Sequence, residues 1–201
     1  TYGVLNLAHR DGHEPPQPMT PGDEVGVVVP LDHIAYRVPK GHCLRVALSN
    51  AYWPLIWPAP NAATLPLHYG LLALTARPAS TGDECAFPPN EMAPPWETEE
   101  LRAENHIRRQ ETDMVTGTVS LIIEDDFGKV RDMDHGLITG SVARERWDIH
   151  PDAPLSARGT CHWTDEMERD GIALRTETRC EMWSDATHFH LSARVEAYEN
   201  G

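Results

Sequence analysis

An all-β fold of mostly antiparallel strands is what this sequence predicts. Three observations carry the prediction. Apolar residues recur at every second position, Gly- and Pro-containing turn signals separate the alternating runs, and only one short stretch, near Glu97–Arg102, reads as a helix. Alternation with one apolar and one polar face is the mark of antiparallel sheets with a solvated side. Many short strands punctuated by turns argue for a sandwich or jelly roll.

Taken along the chain, Leu44, Val46 and Leu48 alternate first. Residues 53–60 then read Trp-Pro-Leu-Ile-Trp-Pro-Ala-Pro, and three prolines without ladder donors keep this stretch out of any central strand. Residues 78–96 hold five prolines and read as a long, acidic surface loop. In 115–124, Val115, Val119, Leu121 and Ile123 share one face. In 172–182, Ile172, Leu174, Cys180 and Met182 share one face, with Arg175, Glu177, Arg179 and Glu181 on the other. In 188–197, Phe189, Leu191, Val195 and Ala197 are expected inside, and His188, His190, Arg194 and Glu196 outside. Turns are expected at Pro21-Gly22, Phe127-Gly128 and Asp170-Gly171. The count comes to about nine or ten strands, without a repeat or an internal boundary, so residues 1–201 are expected to form a single domain. A domain of this size buries roughly 70% of its unfolded surface and needs no staple.

The turn at Asp170-Gly171 fixes a register. If those residues form a two-residue tip, Arg169 pairs with Ile172, and Cys161 then faces Cys180 eight positions out, on the face of Leu174 and Met182. Counting from the tip makes this a hydrogen-bonded pair, with Cα atoms about 5.5 Å apart. That spacing permits a disulfide, and the expectation that the thiols stay unbonded rests on a reducing cytoplasm. Cysteines stand at 43, 85, 161 and 180 without a Cys-x-x-Cys, and no Asn-x-Ser/Thr occurs, which together point to reduced thiols and a cytoplasmic location.

Net charge is −14, from 31 acidic and 17 basic residues. Charge of that sign repels phosphate backbones and anionic lipid, so neither nucleic acid nor membrane is an expected partner. No run of apolar residues is long enough to span a bilayer.

The chain offers little chemistry. Gly-x-Ser-x-Gly is absent, as are Gly-x-x-x-x-Gly-Lys and Gly-x-Gly-x-x-Gly. His188 and His190 share a strand face and could reach one metal ion, as in cupin-type jelly rolls. They share it with Arg194 and Glu196, however, which marks a solvated face. His9, His13, His33, His42 and His135 lack a visible acid–base partner. No catalytic, cofactor-binding or metal-ligating residue is therefore assigned, and no cofactor is expected. The unusual feature is the aromatic group Tyr52, Trp53 and Trp57 among prolines. It reads either as a carbohydrate platform or as an apolar loop packed on something large, and aromatics are enriched in buried interfaces.

The stretch from Gly41 to Pro60, Gly-His-Cys-Leu-Arg-Val-Ala-Leu-Ser-Asn-Ala-Tyr-Trp-Pro-Leu-Ile-Trp-Pro-Ala-Pro, resembles the C-terminal domain of the X-Pro dipeptidyl-peptidase and cocaine-esterase-like serine hydrolases. So do Gly3–His13 and Leu31–Pro39, in the same order along the chain. Cys43 stands where that family usually has an arginine, and the segment after Ala76 is longer and more acidic. The resemblance implies a jelly-roll, galactose-binding-like β-sandwich. It implies a parent enzyme that transfers acyl groups to water through a serine ester, with its Ser, Asp and His in an upstream α/β-hydrolase domain. The chain is then expected to be an inactive accessory domain cut from a longer polypeptide. It would pack on the catalytic domain through Tyr52, Trp53 and Trp57 and help shape the active-site entrance. Exposed in isolation, these aromatics would favour a homo-oligomer. An independent carbohydrate-binding sandwich is the alternative.

Overall fold

A computed structural model describes residues 1–78, 80, 82 and 85–200. It divides into two compact units, Thr1–Ala47 and Leu48–Gly201.

The first unit is built from extended chain and turns. Its one helical turn is the 3-10 segment Leu7–His9, where the Asn6 side chain accepts a hydrogen bond from the Ala8 amide. Two extended stretches approach closely, with the Asp32 amide donating to the Tyr2 carbonyl at 2.9 Å. Gly3 lies at that approach, and a Cβ there would stand 2.1 Å from the Pro30 carbonyl oxygen. The turn expected at Pro21-Gly22 is present, with Gly22 at φ +93°.

In the second unit the fold class is borne out: the chain is all-β and antiparallel. Seven strands form one sheet: β1 (Thr98–Arg102), β2 (Asn105–Thr112), β3 (Val119–Asp132), β4 (Ile138–His150), β5 (Ala153–Arg169), β6 (Ile172–Ser184) and β7 (Phe189–Glu199). The order β3-β4-β5-β6-β7 is a meander, and β1 and β2 both pair with β3. One broad antiparallel sheet is consistent with a layer of a β-sandwich; jelly-roll connectivity remains the implication of the family resemblance.

Several local expectations are corrected. Among the described residues seven strands form rather than nine or ten. Leu44, Val46 and Leu48 are in no strand and stay well exposed, because alternation does not make a strand without a hydrogen-bonded partner. The stretch expected as a helix, Glu97–Arg102, is largely β1, in which Glu99 pairs with Arg131 both in register and through an ion pair. Cross-strand pairing overrides weak helical propensity there. Val115 lies in the β2–β3 turn, and the strand begins at Val119.

Phe127-Gly128 is no turn but a bulge inside β3, where the register with β4 slips between Asp126 and Lys129. Gly128 takes φ +80°, and a Cβ on it would meet the Arg102 carbonyl oxygen at 2.9 Å. Arg102 holds the bulge: its guanidinium donates to Asp126 at 3.0 Å and to Glu166 at 2.9 Å, and Lys129 donates to Glu166 at 3.0 Å. Burial pushes the Glu166 carboxyl up, but the hydrogen bonds from Arg102 and Lys129 outweigh it and leave the group below the usual carboxylate range.

The β5–β6 hairpin forms as expected. Asp170 and Gly171 take φ of 54° and 81°, the left-handed pair of a type I′ turn. Arg169 pairs with Ile172, the register runs unbroken to Arg158 and Trp183, and Cys161 faces Cys180. Both thiols are free. Among the described residues the buried apolar side chains are few, Ile122, Ile138, Ala143 and Ala157. Phe189, Leu191 and Val195 on β7, expected inside, stay exposed instead, because β7 is the edge strand of the sheet.

Candidate domain interface

The Trp-Pro loop belongs to the second unit and sits on the sheet. Prolines at 54, 58 and 60 keep it out of the ladder. The chain reverses there, with the Ile56 amide donating to the Tyr52 carbonyl at 2.8 Å. Upstream, Ser49 folds back on Ala51, and the Asn50 side chain donates to the Ala63 carbonyl at 2.5 Å, which ties down the loop's two ends.

The indoles of Trp53 and Trp57 meet edge to face, with ring centroids 5.1 Å apart. Trp53 also meets Trp147 of β4 at 5.8 Å, and Trp57 meets Phe189 of β7 at 6.0 Å. Such tilted pairs are the favoured aromatic geometry. The Trp57 indole N–H donates to the Ser184 hydroxyl at 3.1 Å. The Trp53 indole nitrogen is buried without a hydrogen-bond partner among the described residues. Trp147 is held in turn by Glu145, which accepts its indole N–H at 2.9 Å.

Of the three residues singled out in the sequence, Trp53 and Trp57 are therefore half-buried against their own sheet, and Tyr52 projects outward at 56% exposure. Leu55 projects further, at 73%. Sequence reasoning missed the supporting residues Trp147 and Ser184, and picked out Phe189 only as a strand residue, not as the seat of Trp57. One signal for Trp147 was available: Gly159 interrupts an alternating strand and lies opposite Trp147 in register. A Cβ at Gly159 would come within 2.6 Å of the Trp147 ring.

The other face of the sheet is charged. A row runs straight across it in register, Glu124-Arg144-His162-Arg179-Arg194, along an open cavity of about 610 Å³. Facing like charges cost energy, and the adjoining carboxylates offset it. Arg179 donates to Glu177 at 2.7 Å and Arg194 to Glu196 at 2.5 Å. The His162 Nε2 lies 3.3 Å from Glu177 without hydrogen-bond alignment. Burial raises the Glu177 carboxyl, but Arg175 and Arg179 hold it below its ordinary range. Cations and anions thus largely neutralise one another within the face.

His188 and His190 fall at the β6–β7 hairpin. His190 contacts Asp185 at 2.8 Å and stacks on Trp183. The hydrogen bond to His190 comes first among the causes that depress the Asp185 carboxyl, followed by the amides of Thr187 and His188. Asp132, Asp134 and His135 are the group among the described residues close enough to share an ion. Asp132 is already engaged there as an acceptor for the Asp134 and His135 amides and the His135 ring.

With this geometry in place, comparison with known families is decisive. The family model of the X-Pro dipeptidyl-peptidase C-terminal non-catalytic domain matches residues 1–113. The chain belongs to that family. The match runs across the boundary between the two units and includes the Trp-Pro loop, β1 and β2; β3 to β7 lie beyond it. No curated protein and no solved structure matches the chain. A C-terminal non-catalytic domain implies a catalytic domain in the same polypeptide. No helix among the described residues is long and apolar enough to cross a membrane.

Proposed function

We propose that residues 1–201 act as one accessory domain of a cytoplasmic serine hydrolase of the X-Pro dipeptidyl-peptidase or acyl-esterase type. The domain packs on an upstream α/β-hydrolase domain and helps shape the mouth of its active site. The observation that carries this reading is the match to a non-catalytic C-terminal domain over residues 1–113. The missing nucleophile elbow supports it. The Trp-Pro loop is the proposed contact: Trp53 and Trp57 anchor it on the sheet, leaving Tyr52 and Leu55 outward for the catalytic domain.

Co-expression of the chain with the catalytic domain as separate polypeptides tests the contact. The two are expected to co-purify, and Leu55→Asp should weaken the complex at least tenfold, about 1.4 kcal/mol. Unchanged affinity removes the loop from the interface. Alone, the chain is expected to resist a serine-directed phosphonate and to leave X-Pro anilides and acyl esters intact; stoichiometric labelling would overturn the accessory role.

A further inference from the structure

We infer that Cys161 and Cys180 form a reversible dithiol–disulfide modification site whose co-substrate is a small disulfide of the glutathione class. The two residues are directly opposed in an unbroken β5–β6 register. The type I′ tip at Asp170-Gly171 makes Arg169/Ile172 a hydrogen-bonded pair, and every second pair outward repeats that state. Cys161/Cys180 falls in this set, where Cα atoms are about 5.5 Å apart, inside the range that disulfides bridge.

Access differs between the two thiols. Cys180 is exposed and Cys161 is half-buried. Burial, and then the nearby Glu145 carboxylate, push the Cys161 thiol up. Cys180 is accordingly the entry point. Its thiolate attacks one sulfur of the small disulfide, forming a mixed disulfide and releasing one small thiolate. Cys161, losing its proton to solvent, then attacks the Cys180 sulfur and expels the second small thiolate. Two protein thiols are oxidised, one small disulfide is reduced to two thiols, and one S–S bond is exchanged for another.

The bond would be labile. Side-chain Cβ atoms of opposed pairs rest at about 4.5–5.5 Å, and a disulfide draws them to roughly 3.5–4.5 Å. Strain of this kind makes a disulfide easier to reduce and suits a regulatory bond better than a structural one. The strain falls beside Gly159, two residues from Cys161 and packed under Trp147, which in turn holds Trp53.

The test is treatment of the folded chain with oxidised glutathione, alkylation of the remaining thiols and tryptic digestion. The expected product links the peptides Gly159–Arg169 and Cys180–Arg194 at two hydrogens below their summed mass. Excess reduced glutathione should reopen the link, and intrinsic tryptophan fluorescence should change on closing. In Cys161→Ser the glutathione adduct should instead persist on Cys180. Separate adducts on Cys161 and Cys180, a link through Cys43 or Cys85, or unreacted Cys161 and Cys180 in a sample whose Cys43 and Cys85 have reacted would each overturn the inference.

Discussion

Single side chains set the tolerance of this sheet. Gly159→Ala puts a methyl group into the ring of Trp147. The ring is pinned by Glu145 and Trp53, so it cannot yield freely. Overpacking of this kind costs about 1–3 kcal/mol, more than the strand propensity gained, and the variant is expected to melt lower when followed by tryptophan fluorescence. Asp125 is the second sensitive residue. Hydrogen bonds from Arg108 at 2.7 Å and then from His106 at 2.7 Å bring its carboxyl down to about 2. A carboxyl depressed on folding adds stability above its unfolded pKa, about 3.9, and loses it as the pH falls toward 2. The hydrogen bond to Asp125 raises His106, so that contribution is full below about pH 6.5 and fades as the pH rises through the folded value. Together the pair favours a window between about pH 4 and 6.5. Asp125→Asn should flatten both limbs of a stability–pH curve from chemical unfolding. Two unchanged limbs would show that the pair adds nothing.

At the scale of elements, the β5–β6 hairpin depends on its tip. Gly171 sits at φ +81°, so Gly171→Val places a β-branched residue in the left-handed region. A cost of about 1–3 kcal/mol is expected in urea unfolding, whereas Asp170→Asn, which tolerates that region, should be nearly neutral. This hairpin was legible in the sequence because local chemistry dictates it: an Asp-Gly tip, matched alternation on both arms and opposed cysteines. The Phe127-Gly128 signal was misread because a glycine with positive φ serves a bulge as well as a turn. What separates the two is long-range, namely Arg102 reaching Asp126 and Glu166. β1 was misread for a similar reason, since five residues carry too little propensity to resist a partner strand. In the candidate interface, Trp53 and Trp57 could be picked out by composition. Their seats on Trp147 and Phe189 are contacts across about a hundred residues or more, which no local pattern reports.

For the whole molecule, the balance between inward and outward apolar groups matters most. The described structure buries few apolar side chains fully and leaves Tyr52 and Leu55 prominent beside the anchored indoles. Without its catalytic partner, the chain is expected to self-associate as concentration rises, driven by this patch. The double variant Tyr52→Ser/Leu55→Ser should lower the weight-average mass measured by sedimentation. An unchanged mass would place the sticky surface elsewhere. The charge of −14 opposes such association through repulsion, so added salt should strengthen it by screening.

The meander order of β3 to β7 also bears on how quickly the sheet assembles. Each of these strands pairs with its neighbour in sequence, so most contacts close short loops and little chain entropy is lost before pairing is rewarded. The sheet should therefore fold faster than a sandwich with Greek-key crossovers of similar length. The Asp170-Gly171 tip is the natural nucleus, because its turn brings the long β5 and β6 arms together in register. Gly171→Val should then slow refolding in stopped-flow experiments while leaving the unfolding arm nearly unchanged.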